Sequence, residues 1–112
     1  PWMTIGADTY IHDLLTLCGG VNVFAGGGST GDRRYPIIRL EEVDSLDPEV
    51  VLLPDEPYRF TASDAATLAR RGFRAGRTGR IHLIDGTLLS WYGPRITKAI
   101  QVLAAFLARR RA

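Results

Sequence analysis

The stretch Leu88-Leu89-Ser90-Trp91-Tyr92-Gly93-Pro94-Arg95-Ile96 puts two large aromatics and an Arg on one short segment. It follows a predicted strand, Arg80–Asp85, and opens a predicted last helix, so Trp91 and Tyr92 are presented on a loop beside a helix N-terminus. Aromatic faces and a fixed guanidinium suit a flat or anionic ligand better than they suit a core. Tyr35, Tyr58 and Phe60 extend the set. With Trp91 and Tyr92 they make five aromatics in loops or at element ends, several of them at one edge of the predicted sheet. A stacking or hydrophobic ligand surface needs such a cluster. A domain's own core also uses aromatics at these places.

Other chemistry is poorly supported. Ser90 invites a hydrolase reading, but a nucleophile elbow needs small glycines two residues to either side, and Leu88 and Tyr92 stand there. The loop Gly26-Gly27-Gly28-Ser29-Thr30-Gly31-Asp32 lacks the Lys-Ser/Thr ending of a P-loop. It also lacks the strand-borne Gly-x-Gly-x-x-Gly of a dinucleotide site, and so reads as a flexible surface loop. His12 and His82 are the only imidazoles. Each reads as a structural histidine rather than a metal ligand, and His12 and Asp13 are adjacent, which cannot put both on one helix face. Asp8, Asp55, Glu56 and Asp85 gather at predicted strand ends. Acid–base catalysis uses such residues, and so do turns and caps. No His, Lys or Cys stands beside them in sequence as a partner.

Composition narrows the class. A chain of 112 residues with 46% hydrophobic and 23% charged residues fits one globular domain with a single core. No apolar run is long enough to span a membrane, and no signal peptide opens the sequence. Pro1 is not a natural initiator, so a processed form or a piece of a longer chain is expected, with any export signal upstream. The formal net charge is +2, and all basic residues but Lys98 are Arg. They are scattered apart from Arg109-Arg110-Arg111, which suits the last turn of a helix. No basic, aromatic-interleaved stripe points to nucleic acid. The single Cys18 excludes an internal disulfide and a cysteine-cluster metal site.

The elements that must position these residues follow from pattern. Trp2–Ile5 is a short apolar run ended by Gly6, a predicted strand. Asp8 or Thr9 caps a helix to about Cys18, with Ile11, Leu14, Leu15 and Cys18 on one face and Gly19-Gly20 as its stop. Val21–Phe24 is apolar but brief. Tyr35-Pro36 leads into a short helix, Leu40–Leu46, with Leu40, Val43 and Leu46 inward, broken by Asp47-Pro48. Val50–Leu53, closed by Pro54, reads as a parallel strand covered on both faces. Ser63 caps a helix through Arg71, with Gly72 beyond it. Ile81–Ile84 is the next strand. Pro94 starts the last helix, whose stripe is Ile96, Ala99, Ile100, Leu103 and Leu107. Strands separated by helices imply right-handed crossovers and a mostly parallel sheet, with ligands beyond the carboxyl ends of the strands. Those ends carry Gly6–Asp8, Pro54–Phe60 and Asp85–Gly93. Neither an internal repeat nor an interdomain linker is visible.

Three ordered blocks resemble one family. Gly6-Ala7-Asp8-Thr9-Tyr10-Ile11-His12-Asp13-Leu14-Leu15 with Cys18-Gly19-Gly20-Val21-Asn22-Val23-Phe24 resembles the start of the C-terminal lobe of class III periplasmic binding proteins. These are the cobalamin, ferric-siderophore and haem receptors of ABC importers. Tyr35-Pro36, Leu40-Glu41-Glu42-Val43 and Leu46-Asp47-Pro48-Glu49-Val50-Val51-Leu52-Leu53-Pro54 resemble the second block, and Ser90-Trp91-Tyr92-Gly93-Pro94-Arg95 the last. Together they span nearly the whole chain and are most similar to cobalamin-binding members.

The resemblance implies a Rossmann-like, three-layer α/β lobe over residues 1–112, with a mostly parallel sheet and helices on both faces. It would form one wall of an interlobe cleft. The family's first lobe and interlobe helix have no counterpart in this sequence. By position Tyr35 faces the ligand, as do Trp91 and Tyr92. Glu41, or its neighbour Glu42, docks onto an Arg pocket of the membrane permease. Arg39 departs from the small N-cap residue expected there, and the Gly26–Gly31 loop is unusually glycine-rich. The implied function is extracytoplasmic capture of a corrinoid or similar metal chelate, without a reaction and without a resident cofactor or metal. A ferric-siderophore or haem receptor is the alternative within the class, and a small α/β enzyme using the strand-end acids is the alternative outside it. A homodimer of the isolated lobe through its cleft face is a third arrangement.

Overall fold

The computed structural model describes residues 2–26, 30–31, 34–56, 58–89 and 96–108. The chain runs through β1 (Trp2–Met3), α1 (Tyr10–Leu17), β2 (Thr30–Gly31), β3 (Pro36–Ile38), α2 (Leu40–Leu46) and β4 (Val51–Pro54). It continues through α3 (Ala62–Ala69), α4 (Arg74–Arg77), β5 (Ile81–Ile84), a 3-10 turn at Gly86–Leu89, and α5 (Ile96–Leu107).

β4 and β5 pair in parallel, with Val51 opposite Ile81 and Leu53 opposite Leu83. This small parallel sheet divides the apolar interior. Along β4, Val51 and Leu53 join one core with Phe24, Ile38, Val43, Leu68 and Phe73, while Leu52 joins the other with Leu14, Ile84, Leu88, Ala99 and Leu103. The alternation follows from the two-residue period of a strand. α2, α3 and α4 therefore pack to one side of the pair, and α1 and α5 to the other.

The expectation of a mostly parallel sheet needs correcting. Among the described residues the other ladders are antiparallel: β1 pairs with β3, and β2 pairs with β3. The reason is local. Residues 2–6 and 34–38 run alongside each other beyond the ladder itself, with Thr4 N–H donating to the Pro36 carbonyl at 3.1 Å and Gly6 N–H to the Arg34 carbonyl at 2.8 Å. Thr30-Gly31, read as part of a surface loop, supplies β2. The expected burial also fails in two places. Leu83 is 48% exposed although it lies in β5, because the α2–α3–α4 core reaches only as far as Ile81 on that face. Leu46 is 44% exposed at the last position of α2, leaving Val43 as that helix's buried residue.

Caps explain most boundaries. Thr9 accepts the His12 N–H at 3.1 Å and starts α1 as expected. Gly19 ends it at φ +93°, a conformation that costs a residue with a Cβ. α3 starts earlier than Ser63 would place it. Asp64 reaches back to the Thr61 N–H at 2.9 Å, so Thr61 is the cap and the helix ends at Ala69, short of Arg71. α4 has no local sequence signal. Its first N–H, on Arg74, donates to the Asp47 carboxylate at 2.7 Å, and Asp47 itself closes α2 in the left-handed region at φ 49°. At the far end, Arg80 is 8% exposed and donates from Nη2 to the carbonyls of Phe106 and Ala108, both at 2.8 Å. A buried guanidinium thus closes the C-terminus of α5, where the helix leaves its carbonyls without partners.

Candidate functional site

Aromatic rings stand at two places along the β1–β3 ribbon, a cluster around Phe60 and the single ring of Tyr35. Trp2 of β1 stacks on Phe60 with ring centroids 5.9 Å apart, and Tyr58 meets Phe60 edge-on at 4.7 Å. Phe60 is held by its N–H, which donates to the Pro54 carbonyl at 3.3 Å, and it packs against the α2–α3–α4 core. Tyr58 is 60% exposed. Phe60 is therefore in part a core residue, and Tyr58 is the exposed ring of that group. The sequence pattern marks Trp2 only as a strand residue, and its one signal is an aromatic opening an edge strand.

Tyr35 stands apart from that cluster. It precedes the buried Pro36 and shares the strand face of Ile37, opposite Pro36 and Ile38. It is 44% exposed, and the Arg34 guanidinium carbon lies 5.7 Å from its ring centroid. Arg34 Nε donates to the Asp8 carbonyl at 2.8 Å. With the Gly6–Arg34 bond, this pins Tyr35 to the Gly6–Asp8 segment. Among the described residues no ring contact joins Tyr35 to Tyr58 or Phe60. From Tyr35 to Ile38, which lies opposite Trp2, is three residues, about 10 Å of strand. Trp91 and Tyr92 lie outside the described residues.

Two of the four strand-end acids hold turns. Asp55 accepts the Gly86 N–H at 2.7 Å, and Asp85 accepts the Thr87 N–H at 2.9 Å and the Thr87 hydroxyl at 2.7 Å. The loop after β4 is thereby tied to the loop after β5. Asp8 and Glu56 are exposed. The histidines serve structure. Asn22 Nδ2 lies 3.3 Å from His12 Nδ1 and donates to the Ile5 carbonyl at 2.8 Å, while Asn22 Oδ1 accepts the Phe24 N–H at 2.9 Å. His82 stacks on Phe106 of α5 at 4.5 Å. Cys18 Sγ points at the Ile100 carbonyl, and burial pushes its thiol pKa upward. Among the described residues no three His, Cys, Asp or Glu side chains group as a metal site, and no helix is long and apolar enough to cross a membrane. A shallow groove of about 250 Å³ between α3, α4 and β5 is lined by small or apolar residues, among them Ala69, Gly76 and Ile81, and offers no polar side chain.

The two acids at the start of α2 differ. Glu42 Oε1 accepts the Arg39 N–H at 3.0 Å, doing from inside the helix what a small N-cap side chain would otherwise do. Glu41 is exposed, and among the described residues its carboxylate makes no hydrogen bond. One turn on, Asp44 holds Arg71 in a forked pair, with Nε at 3.2 Å. That hydrogen bond, with smaller charge attraction from Asp44 and Glu41, raises the Arg71 pKa above its ordinary value.

The fold has a solved counterpart. The chain is similar to the periplasmic haem-binding protein RhuT from Roseiflexus sp. RS-1, solved in apo form, with a TM-score of 0.73 at 23% identity. The likeness covers 93% of this chain and 40% of that one, so the chain spans about two fifths of its length. No protein-family model matches the sequence, and no curated relative matches it.

Proposed function

We propose that this chain is the C-terminal lobe of a class III periplasmic substrate-binding protein, the receptor of an ABC importer, and that it walls one side of an interlobe cleft for a metal chelate. In this reading the lobe is Rossmann-like and three-layered, works outside the cytoplasm, and carries out no reaction. The observation that carries the proposal is the fold likeness itself. It takes in nearly all of this chain and 40% of a haem-binding protein, the share one lobe of two would match. The ordered sequence blocks around Gly6, Tyr35 and Leu40 support it independently.

The chemistry is capture. Tyr35 offers a half-exposed ring on a pinned segment, and a flat chelate gains about 1 kcal/mol beyond area burial from such a ring. Tyr58, together with Trp91 and Tyr92 by sequence position, extends the wall. A haem or a corrinoid fits this surface, and a ferric siderophore is the other cargo of the class. The catalytic alternative is weakened because Asp55 and Asp85 hold turns. Glu41 is the proposed contact to the permease.

The test is calorimetric titration of the full-length protein with haemin, cyanocobalamin and a ferric siderophore, beside Tyr35→Ala. The expected result is saturable 1:1 binding of one chelate, weakened about fivefold by the substitution with the circular dichroism unchanged. If no chelate binds, the receptor reading is wrong. If Tyr35→Ala binds as tightly as wild type, Tyr35 is not part of the wall.

A further inference from the structure

We infer that Arg71 sets the register in which this lobe docks on the membrane permease: by holding Asp44 it leaves Glu41 as the acid of this face that a partner's guanidinium pairs with. This rests on the proposed contact of Glu41 with the permease. Positions 41 to 49 carry Glu41, Glu42, Asp44, Asp47 and Glu49. Four of these acids are engaged within the lobe. Glu42 accepts the Arg39 N–H at 3.0 Å, and Asp47 accepts the Arg74 N–H at 2.7 Å. Arg74 Nη1 donates to Glu49 at 2.9 Å. Arg71 takes both oxygens of Asp44, with Nε on Oδ1 at 3.2 Å and Nη2 on Oδ2. Glu41 is exposed, and among the described residues its carboxylate has no hydrogen bond or ion pair.

Residues three apart on a helix are surface neighbours, so Glu41 and Asp44 would otherwise offer an incoming cation two equivalent partners. The two positions differ by about 4.5 Å of helix rise, so each choice would seat the lobe differently. Arg71 removes the choice. Its fork fills Asp44, and its charge repels a second guanidinium brought to the same carboxylate. The backbone holds Arg71 where it can do this. Its N–H donates to the Leu68 carbonyl at 3.0 Å in the turn that ends α3, and Gly72 follows at φ +89°. Glu41 reaches Arg71 only as a weaker charge attraction, secondary to the Asp44 bond. Exposed ion pairs contribute little to stability, so Arg71 is replaceable without loss of the fold.

The experiment is a mutant cycle on the full-length receptor, without added chelate. Its affinity for the importer reconstituted in liposomes is read by fluorescence anisotropy, and its stimulation of ATP hydrolysis is read beside it. Glu41→Ala is expected to lose about tenfold in affinity and all stimulation. Adding Arg71→Met should restore about fivefold in affinity, because Asp44 is now free to pair, but no stimulation, because the lobe is seated in the wrong register. Adding Asp44→Asn to that pair should cancel the regained affinity. With Glu41 present, Arg71→Met should tighten binding by no more than about twofold while roughly halving stimulation, since two acids then compete for one guanidinium. Circular dichroism should be unchanged throughout. No regained affinity, an equal gain whether or not Glu41 is present, or stimulation returning with the affinity would overturn the inference and leave the docking role of Glu41 standing. Wild-type affinity and stimulation in Glu41→Ala would overturn both.

Discussion

The Asp55 carboxylate accepts the Gly86 N–H at 2.7 Å, and this bond fastens the loop leaving β4 to the loop leaving its parallel neighbour β5. Gly86 is buried against the same loop. A Cβ there would meet the Glu56 nitrogen at 2.9 Å and the Glu56 carbonyl oxygen at 3.0 Å, both backbone atoms that cannot step aside. Gly86→Ala should therefore destabilise the fold by roughly 1–3 kcal/mol through overpacking. Asp55→Ala should cost about 1–3 kcal/mol by leaving the buried N–H without its acceptor, and Asp55→Asn, which keeps an acceptor oxygen, should cost less. Urea unfolding followed by tryptophan fluorescence measures all three. An Asp55→Ala variant as stable as wild type would mean that the loops are held together by packing alone.

Arg80 gives a second prediction. Its two 2.8 Å bonds to the Phe106 and Ala108 carbonyls come from one nitrogen of a buried guanidinium, and they join the start of β5 to the end of α5. Arg80→Ala removes donors from helix-end carbonyls and leaves space behind. A loss of about 2 kcal/mol is expected, with hydrogen exchange rising first in the last turns of α5. Arg80→Lys keeps the charge but not the fork, and should recover only part of the loss. Uniform loss of protection across the chain, with no bias to α5, would contradict this local role.

Much of this frame was legible in the chain. The stripes Ile11–Leu14–Cys18 and Ala99–Ile100–Leu103 have helical periods, and their residues meet in the α1–α5 core. Val51–Leu53 and Ile81–Ile84 pair in parallel, as unbroken apolar runs between helices suggest. What escaped depended on partners distant in sequence. Nothing in Trp2–Ile5 says that Pro36–Ile38 will pair with it backwards. Thr61 outcompetes Ser63 because Asp64 stands three residues after Thr61. α4 begins where Asp47 supplies an acceptor from 27 residues away. Of the aromatics that the sequence singles out for a ligand surface, Tyr35 and Tyr58 are exposed. Their arrangement was not legible: the pinning of Arg34 by Asp8 and the stacking of Phe60 on Trp2 are tertiary contacts without a local signature.

The last prediction separates the two acids that open α2. Both sit in the first helical turn, where a carboxylate is stabilised by the helix dipole, so position alone cannot distinguish docking from capping. Their bonding does. Glu42 turns back to the Arg39 N–H at 3.0 Å, so Glu42→Ala should lower stability by about 0.5–1 kcal/mol, the cost of a lost cap, and leave transport unchanged. Glu41 is exposed, and its neighbour Asp44 is already engaged by Arg71, so Glu41 is the acid this face presents. A bidentate bond from a permease Arg would fix orientation as well as add attraction. Glu41→Ala should accordingly leave urea unfolding and chelate affinity unchanged while abolishing the stimulation of ATP hydrolysis in an importer reconstituted in liposomes. Glu41→Asp should restore part of it, because the carboxylate is kept on a shorter arm. Full stimulation by Glu41→Ala would make Glu41 an ordinary helix-start residue. Loss of stimulation by Glu42→Ala at unchanged stability would move the docking role one residue along the chain.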